Sequence, residues 1–206
     1  NASAELWHLP LLRRAAATHR PLIISTGMAD LDEVSDAVDA VRAAGGSEIA
    51  LLHCTVKYPA PAADLNLSAM ATLRATFGTP VGLSDHSLGT WAPLAAVALG
   101  ANVIEKHFTL SRDLPGPDHA FALEPDELGG MVRAIRSIEA AIGNGRKVRR
   151  PVEEEIYAIS RRNLVTARQM RSGETIGPGD LDVLRSALGI APRHGEELIG
   201  RRISRD

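Results

Sequence analysis

Cysteine is nearly missing from this sequence. Cys54 is the single one among 206 residues, which excludes an intramolecular disulfide framework and fits a reducing, cytoplasmic setting. Aromatic residues make up only 3%, so a core has to be built from Leu, Ile, Val and Ala. Charge of one sign is not in excess either. With 23 Lys and Arg against 25 Asp and Glu, no broad basic field speaks for nucleic acid or an anionic membrane surface. No apolar run approaches the roughly 20 residues that span a bilayer. The opening Asn1-Ala2-Ser3 is not the charged start of a secretory signal, and with no initiator Met we expect the natural N-terminus to lie further upstream. No Gly-x-Gly-x-x-Gly follows any apolar run, which weakens a dinucleotide-binding reading.

What is present is a regular alternation. A helical stretch with Pro10 near its start and Leu11, Leu12, Ala15 and Ala16 leads to the apolar run Pro21–Ile24, which ends in Ser25-Thr26-Gly27. Asp30 or Asp32 can cap the next helix, whose apolar face is Val34, Ala37, Val38 and Val41, and Gly45-Gly46 stops it. Ile49–Cys54 predicts a second strand, Pro80–Leu83 a third and Val103–Glu105 a fourth. Helices are predicted near Met70 and Leu73, over Trp91–Leu99 and over Asp126–Ile142. Four strand–loop–helix units imply an α/β fold with a parallel sheet, either half of an eight-unit barrel or an open doubly wound sheet. Gly143–Pro151 is a basic Gly/Pro stretch, and the expected division is a first domain over 1–145, a linker over 146–159 and a small β-rich module over 160–206.

Two of the apolar runs end in histidine, in Gly82-Leu83-Ser84-Asp85-His86 and Val103-Ile104-Glu105-Lys106-His107. In parallel α/β sheets the C-terminal strand edge carries ligands and catalytic groups. Two imidazoles at that edge suggest a divalent metal site, with Asp85 or Glu105 as an orienting neighbour or a plain ion-pair member. Alternation puts Lys106 and His107 on opposite sides, which counts against a lysine Schiff base at Lys106.

Further motifs carry a resemblance. They are Ser25-Thr26-Gly27-Met28, His53-Cys54-Thr55 with Tyr58-Pro59-Ala60-Pro61, the two histidine runs, Pro115-Gly116-Pro117-Asp118-His119, and Leu123-Glu124-Pro125-Asp126-Glu127-Leu128. In this order the sequence resembles the sialic acid (nonulosonic acid) synthase family. Arg161–Arg168 resembles the start of that family's second, antifreeze-like (SAF) domain. The resemblance implies the second half of a (β/α)8 TIM barrel followed by most of a SAF domain. The first strands of the barrel would precede Asn1, and the end of the SAF domain would follow Asp206. The isolated chain is then expected to be inactive, because part of the phosphate-binding shell would be missing.

The activity so implied joins phosphoenolpyruvate to the open-chain aldehyde of an N-acylated mannosamine-like sugar, with release of phosphate. By resemblance, His86 and His107 are the metal ligands, for Mn²⁺ first and Mg²⁺ or Co²⁺ as options. Ser3, Ser25 and Ser84 match positions that hold the phosphate or carboxylate of phosphoenolpyruvate. Glu5 matches a carboxylate near the sugar, and Tyr58 and Asp118 match sugar-contacting residues. Arg185 matches an arginine that reaches the partner subunit's barrel, which implies a domain-swapped homodimer. Two departures stand out. Arg185–Ile190 lacks the Pro-Gly of the family's Arg-Pro-Gly-x-Gly-Ile, and Val56 replaces a frequent Asn and cannot hydrogen-bond a ligand. Val56 leaves the sialic, legionaminic and pseudaminic branches all open. A Schiff-base aldolase and a non-catalytic sugar- or protein-binding fragment are the other readings.

Overall fold

The computed structural model describes residues 1–186 and 188–205. Ala187, inside the Arg185–Ile190 stretch, and Asp206, the end of the predicted 160–206 module, lie outside the described residues. The chain forms two compact units, Asn1–Gly145 and Arg146–Asp206.

The first unit is a parallel sheet in the order β1 (Leu22–Ser25), β2 (Ile49–Cys54), β3 (Val81–Asp85), β4 (Ile104–Lys106). Its helices are α1 (Leu9–Ala16), α2 (Leu31–Ala43), α3 (Ala69–Phe77), α4 (Trp91–Ala98) and α5 (Pro125–Ile142). The helical stretch expected before the first strand is α1, with Pro10 in its first turn. Asp30, not Asp32, caps α2: its carboxylate accepts from Glu33 N–H, and the Glu33 side chain accepts from Asp30 N–H in return. β3 runs two residues further than the sequence suggests, and β4 is short, starting at Ile104.

Alternation sorts the strand residues onto two faces. Ile24, Ile49, Leu51, Val81 and Leu83 pack with Val34, Val38, Met70, Ala92 and Ala96 of the helices in one core. The other face presents Ile23, Ser25, Leu52, Cys54, Gly82, Ser84 and Glu105. Gly82 is required there by close approach, since a Cβ would lie 2.1 Å from the Val103 carbonyl oxygen. That carbonyl accepts from Leu83 N–H at 2.9 Å, so the chain entering β4 lies directly against Gly82. Both outer strands carry one more parallel step. Asn1 bonds to Ile23 O and Ser25 N beside β1, and Leu123 bonds to His107 O and Thr109 N beyond β4.

The second unit begins with α6 (Glu154–Ser160), inside the segment the sequence suggested was only a connector. β5 (Arg162–Thr166) and β6 (Leu181–Arg185) then pair antiparallel, and a short helix, α7 (Gly195–Leu198), follows. Among the described residues, no helix in either unit is long and apolar enough to cross a membrane.

Candidate active site at the strand ends

The β3–β4 register pairs Ser84 with Glu105 and Asp85 with Lys106. The next step brings His86 opposite His107, one residue beyond the ladder, with ring centroids 5.3 Å apart and planes at 64°. The loop after β2 is clipped to His86 twice. The Ala60 N–H donates to the His86 carbonyl at 2.9 Å, and His86 Nδ1 lies 2.9 Å from the Thr55 carbonyl. A carbonyl can only accept, so Nδ1 carries the proton and the Nε2 lone pair is left free. The clip sets the Tyr58 ring against His86 at 4.2 Å and His107 at 5.8 Å. Phe121 closes the group, 4.9 Å from His107 and 5.4 Å from Tyr58.

Burial pulls the His86 pKa down, but its contacts with the Cys54 thiol and the Thr55 carbonyl, helped by the Asp85 charge, outweigh this and leave it above the usual value. His107 is held below the usual value by burial and the neighbouring His86, against the pull of Asp118 and Glu105. Burial raises the Cys54 thiol, yet hydrogen bonds from His86, Ser3 and Ser25 bring it net below a free thiol. Burial and the charges of Cys54, Asp118 and Glu105 push Tyr58 up.

The other predicted site residues fall as follows. Ser3 Oγ and Ser25 Oγ lie 2.8 Å apart, and Ser3 Oγ accepts from Gly27 N–H at 3.0 Å. Both serines are buried beside Cys54, at the ends of β1 and β2. Ser84 Oγ donates to Glu105 Oε1 at 2.6 Å, facing a recess of about 190 Å³ that also includes His107. Asp118 stands at the start of the single turn His119–Phe121, near enough to act electrostatically on His107 and Tyr58. Tyr58 is half exposed, as a pocket wall requires. Glu5 lies on an exposed turn, with Oε2 3.4 Å from His8 Nδ1. Arg185 ends β6 in the second unit, opposite Arg162. Lys106 faces the helix side, as alternation requires. Its buried Nζ lies 2.6 Å from Asp85 Oδ2 and is engaged there, on the side away from His107.

Sequence reasoning missed Phe121 and the Thr55 carbonyl. Scarcity of aromatics is a signal for Phe121, because each one present is conspicuous; nothing in the sequence marks a backbone carbonyl. A larger cleft of about 420 Å³ lies over the ends of β1 and β2, lined by Thr26, Met28, Asp30, His53, Asn66 and Ser68, and it contains neither His86 nor His107. The titratable groups with shifted pKa values converge at the histidines instead, which makes that edge the candidate site. Among the described residues, no group of three or more His, Cys, Asp or Glu side chains is arranged to hold a metal ion. His86 and His107 could supply at most two imidazole donors to a cation there, leaving its other positions open.

A parallel half-barrel with catalytic-type residues at its strand ends is thus the class that fold and site define. The chain belongs to the NeuB family, whose model matches residues 1–147. It is 44% identical over 206 residues to the N,N'-diacetyllegionaminic acid synthase of Legionella pneumophila, covering 98% of this chain and 58% of that protein. It is 35% identical over 204 residues to the pseudaminic acid synthase of Helicobacter pylori, covering 99% of this chain and 60% of that protein. The crystal structure of the Bacillus subtilis spore coat polysaccharide biosynthesis protein SpsE superimposes with a TM-score of 0.66 at 40% identity, covering 98% of this chain and 63% of that one. The chain spans about three fifths of the length of the curated relatives it matches.

Proposed function

We propose that this chain supplies the C-terminal half of the active site of a nonulosonic acid synthase. In that reaction C3 of phosphoenolpyruvate attacks the aldehyde carbon of an N-acylated amino sugar and forms the new C–C bond. Water then adds at C2, the C–O bond to phosphate breaks, and inorganic phosphate leaves with the bridging oxygen. The observation that carries this reading is the facing pair His86 and His107, with the His86 Nδ1 proton on the Thr55 carbonyl so that the Nε2 lone pair is available. A divalent cation on the two imidazoles, Mn²⁺ first and Mg²⁺ or Co²⁺ as alternatives, would supply Lewis acidity at the aldehyde oxygen when bound.

The chain's own residues have separate tasks in this reading. The Ser3 and Ser25 hydroxyls lie at the β1 end, with Ser3 held by the Gly27 amide, where uncharged donors can meet phosphate or carboxylate oxygens. Ser84, two strands further on at the end of β3, would offer the same contact by turning its hydroxyl from Glu105 to a ligand oxygen. Tyr58 and Phe121 wall the sugar and exclude water, and Asp118 accepts from sugar hydroxyls. Arg185 would act in a domain-swapped homodimer, reaching the sugar's N-acyl group in the partner subunit's barrel, in a SAF-type second domain. Identities of 44% and 43% to legionaminic acid synthases, against 35% and 34% to pseudaminic ones, favour the legionaminic over the pseudaminic branch.

The test uses the whole protein with Mn²⁺, phosphoenolpyruvate and N-acylated hexosamines, and reads phosphate release together with the 2-keto acid formed. We expect both to appear in equal amounts and to vanish in His86→Ala. An unchanged rate in His86→Ala sinks the metal-assisted reading, and a pyruvyl adduct trapped by borohydride on Lys106 would establish the aldolase instead. Absence of turnover with every sugar would favour a non-catalytic binding role.

A further inference from the structure

The two residues that immediately precede the histidines have no task in the reaction above. Asp85 and Lys106 are register partners on the last rung of the β3–β4 ladder, and their side chains are 0% and 3% exposed. Lys106 Nζ donates to Asp85 Oδ2 at 2.6 Å and also to the Ser87 carbonyl, while Asp85 Oδ1 accepts from Ser87 N–H at 2.8 Å. One ammonium and one carboxylate thus tie β4 to β3 and to the backbone on the far side of His86. On the opposite face, one rung earlier, Ser84 is tied to Glu105.

Stability alone is a poor reason for this arrangement. A buried ion pair is often no better than an apolar pair of the same size, because desolvation offsets the attraction. The cluster also leaves Ser87 Oγ buried with no hydrogen-bond partner. Register is a better reason. β4 has only three residues, so few backbone bonds hold it in place. A one-residue slip would turn His107 away from His86, to the helix side.

We propose that the Asp85–Lys106 pair is a positioning clamp that fixes the separation and orientation of His86 and His107, so that both imidazoles can reach one cation. The inference rests on the metal reading given above, but the imidazole separation can be measured without any metal. The variant Asp85→Leu/Lys106→Met removes both charges and keeps most of the volume. Its fold is checked by circular dichroism and urea unfolding, its Mn²⁺ affinity by titration, and its metal-free imidazole geometry by crystallography. We expect a folded protein whose rings depart from the 5.3 Å arrangement. We expect Mn²⁺ affinity to fall roughly 10- to 100-fold, the range for loss of groups that orient metal ligands.

A folded variant that keeps the ring separation and binds Mn²⁺ within about twofold of the parent overturns the clamp. If the parent itself binds no Mn²⁺, the metal reading fails, and the clamp stands or falls on the ring separation alone. If the apolar variant does not fold, Asp85→Asn/Lys106→Gln keeps a neutral hydrogen bond across the same positions. That variant should preserve both separation and affinity. A tenfold loss of affinity with the separation intact would assign the pair a purely electrostatic effect and remove the positioning role.

Discussion

The two units solve the problem of stability differently. In Asn1–Gly145 helices cover one face of the sheet, core residues there reach zero exposure, and even the Asp85–Lys106 pair is buried. In Arg146–Asp206 the sheet has two strands, the buried apolar side chains among the described residues are Leu164, Met170 and Ile176, and the ion pairs lie at the surface. Charge differs too, with ten Lys and Arg against sixteen Asp and Glu in the first unit and thirteen against nine in the second. The same residue types therefore carry different weight in the two units, because burial removes the water that otherwise screens and hydrates them.

Four substitution experiments bear on that contrast. The largest effect is expected for Asp85→Asn, which leaves the Lys106 ammonium buried without its counter-charge. Loss of one partner of a buried pair costs about 3–5 kcal/mol in urea unfolding. A loss under about 1 kcal/mol would show that water reaches the pair. Next come Leu51→Ala or Leu83→Ala, both in the fully buried core, expected to cost about 3 kcal/mol, against about half that for Leu164→Ala in the thinner second unit. Equal costs would break the contrast.

Glycine gives a third comparison. Gly82→Ala drives a methyl into the Val103 carbonyl and is expected to cost about 2–3 kcal/mol, since backbone has to move. Gly179→Ala meets open space and is expected to stay within about 0.5 kcal/mol of neutral. Thermal unfolding of the two variants side by side is sufficient to compare them.

The smallest effect concerns pH. The Arg168 guanidinium and the Gly177 amide hold the Asp180 carboxyl below its usual value of 3.8. The folded form then binds protons less readily than the unfolded one, so this pair stabilises above that value and the contribution is lost as pH falls through the depressed range. Its exposure means salt should weaken it. Melting temperatures across that range, in low and high salt, should show a slightly steeper acid loss for the parent than for Asp180→Asn, and the difference should shrink with salt.

Much of the first unit is legible in the residues themselves. Leu22–Ile24, Ile49–Leu52 and Val81–Leu83 are continuous apolar runs because a parallel strand under helices is shielded along most of its length. Asp30 with Glu33 is a helix start that can be read directly. Harder to read is α6, because Arg149, Arg150 and Pro151 just before it look like a connector. Its signals are the acidic run Glu153–Glu155 and the spacing of Ile156 and Ile159. At the site, the histidines announce themselves at the ends of two strands, and alternation sends Lys106 to the helix side. Nothing local says that Asp85 waits for Lys106 there, that Thr55 offers its carbonyl to His86, or that Phe121 returns to cover His107.

By itself the sequence determined the strands and helices of the first unit, their parallel arrangement and the side on which each strand residue emerges, because these follow from short-range periodicity and apolar content. Tertiary structure alone decided which residues meet. The β3–β4 register brings together Asp85 and Lys106, 21 residues apart, and thereby sets His86 opposite His107. Register depends on ladder bonds and packing summed over the sheet, and no local stretch of sequence contains that sum.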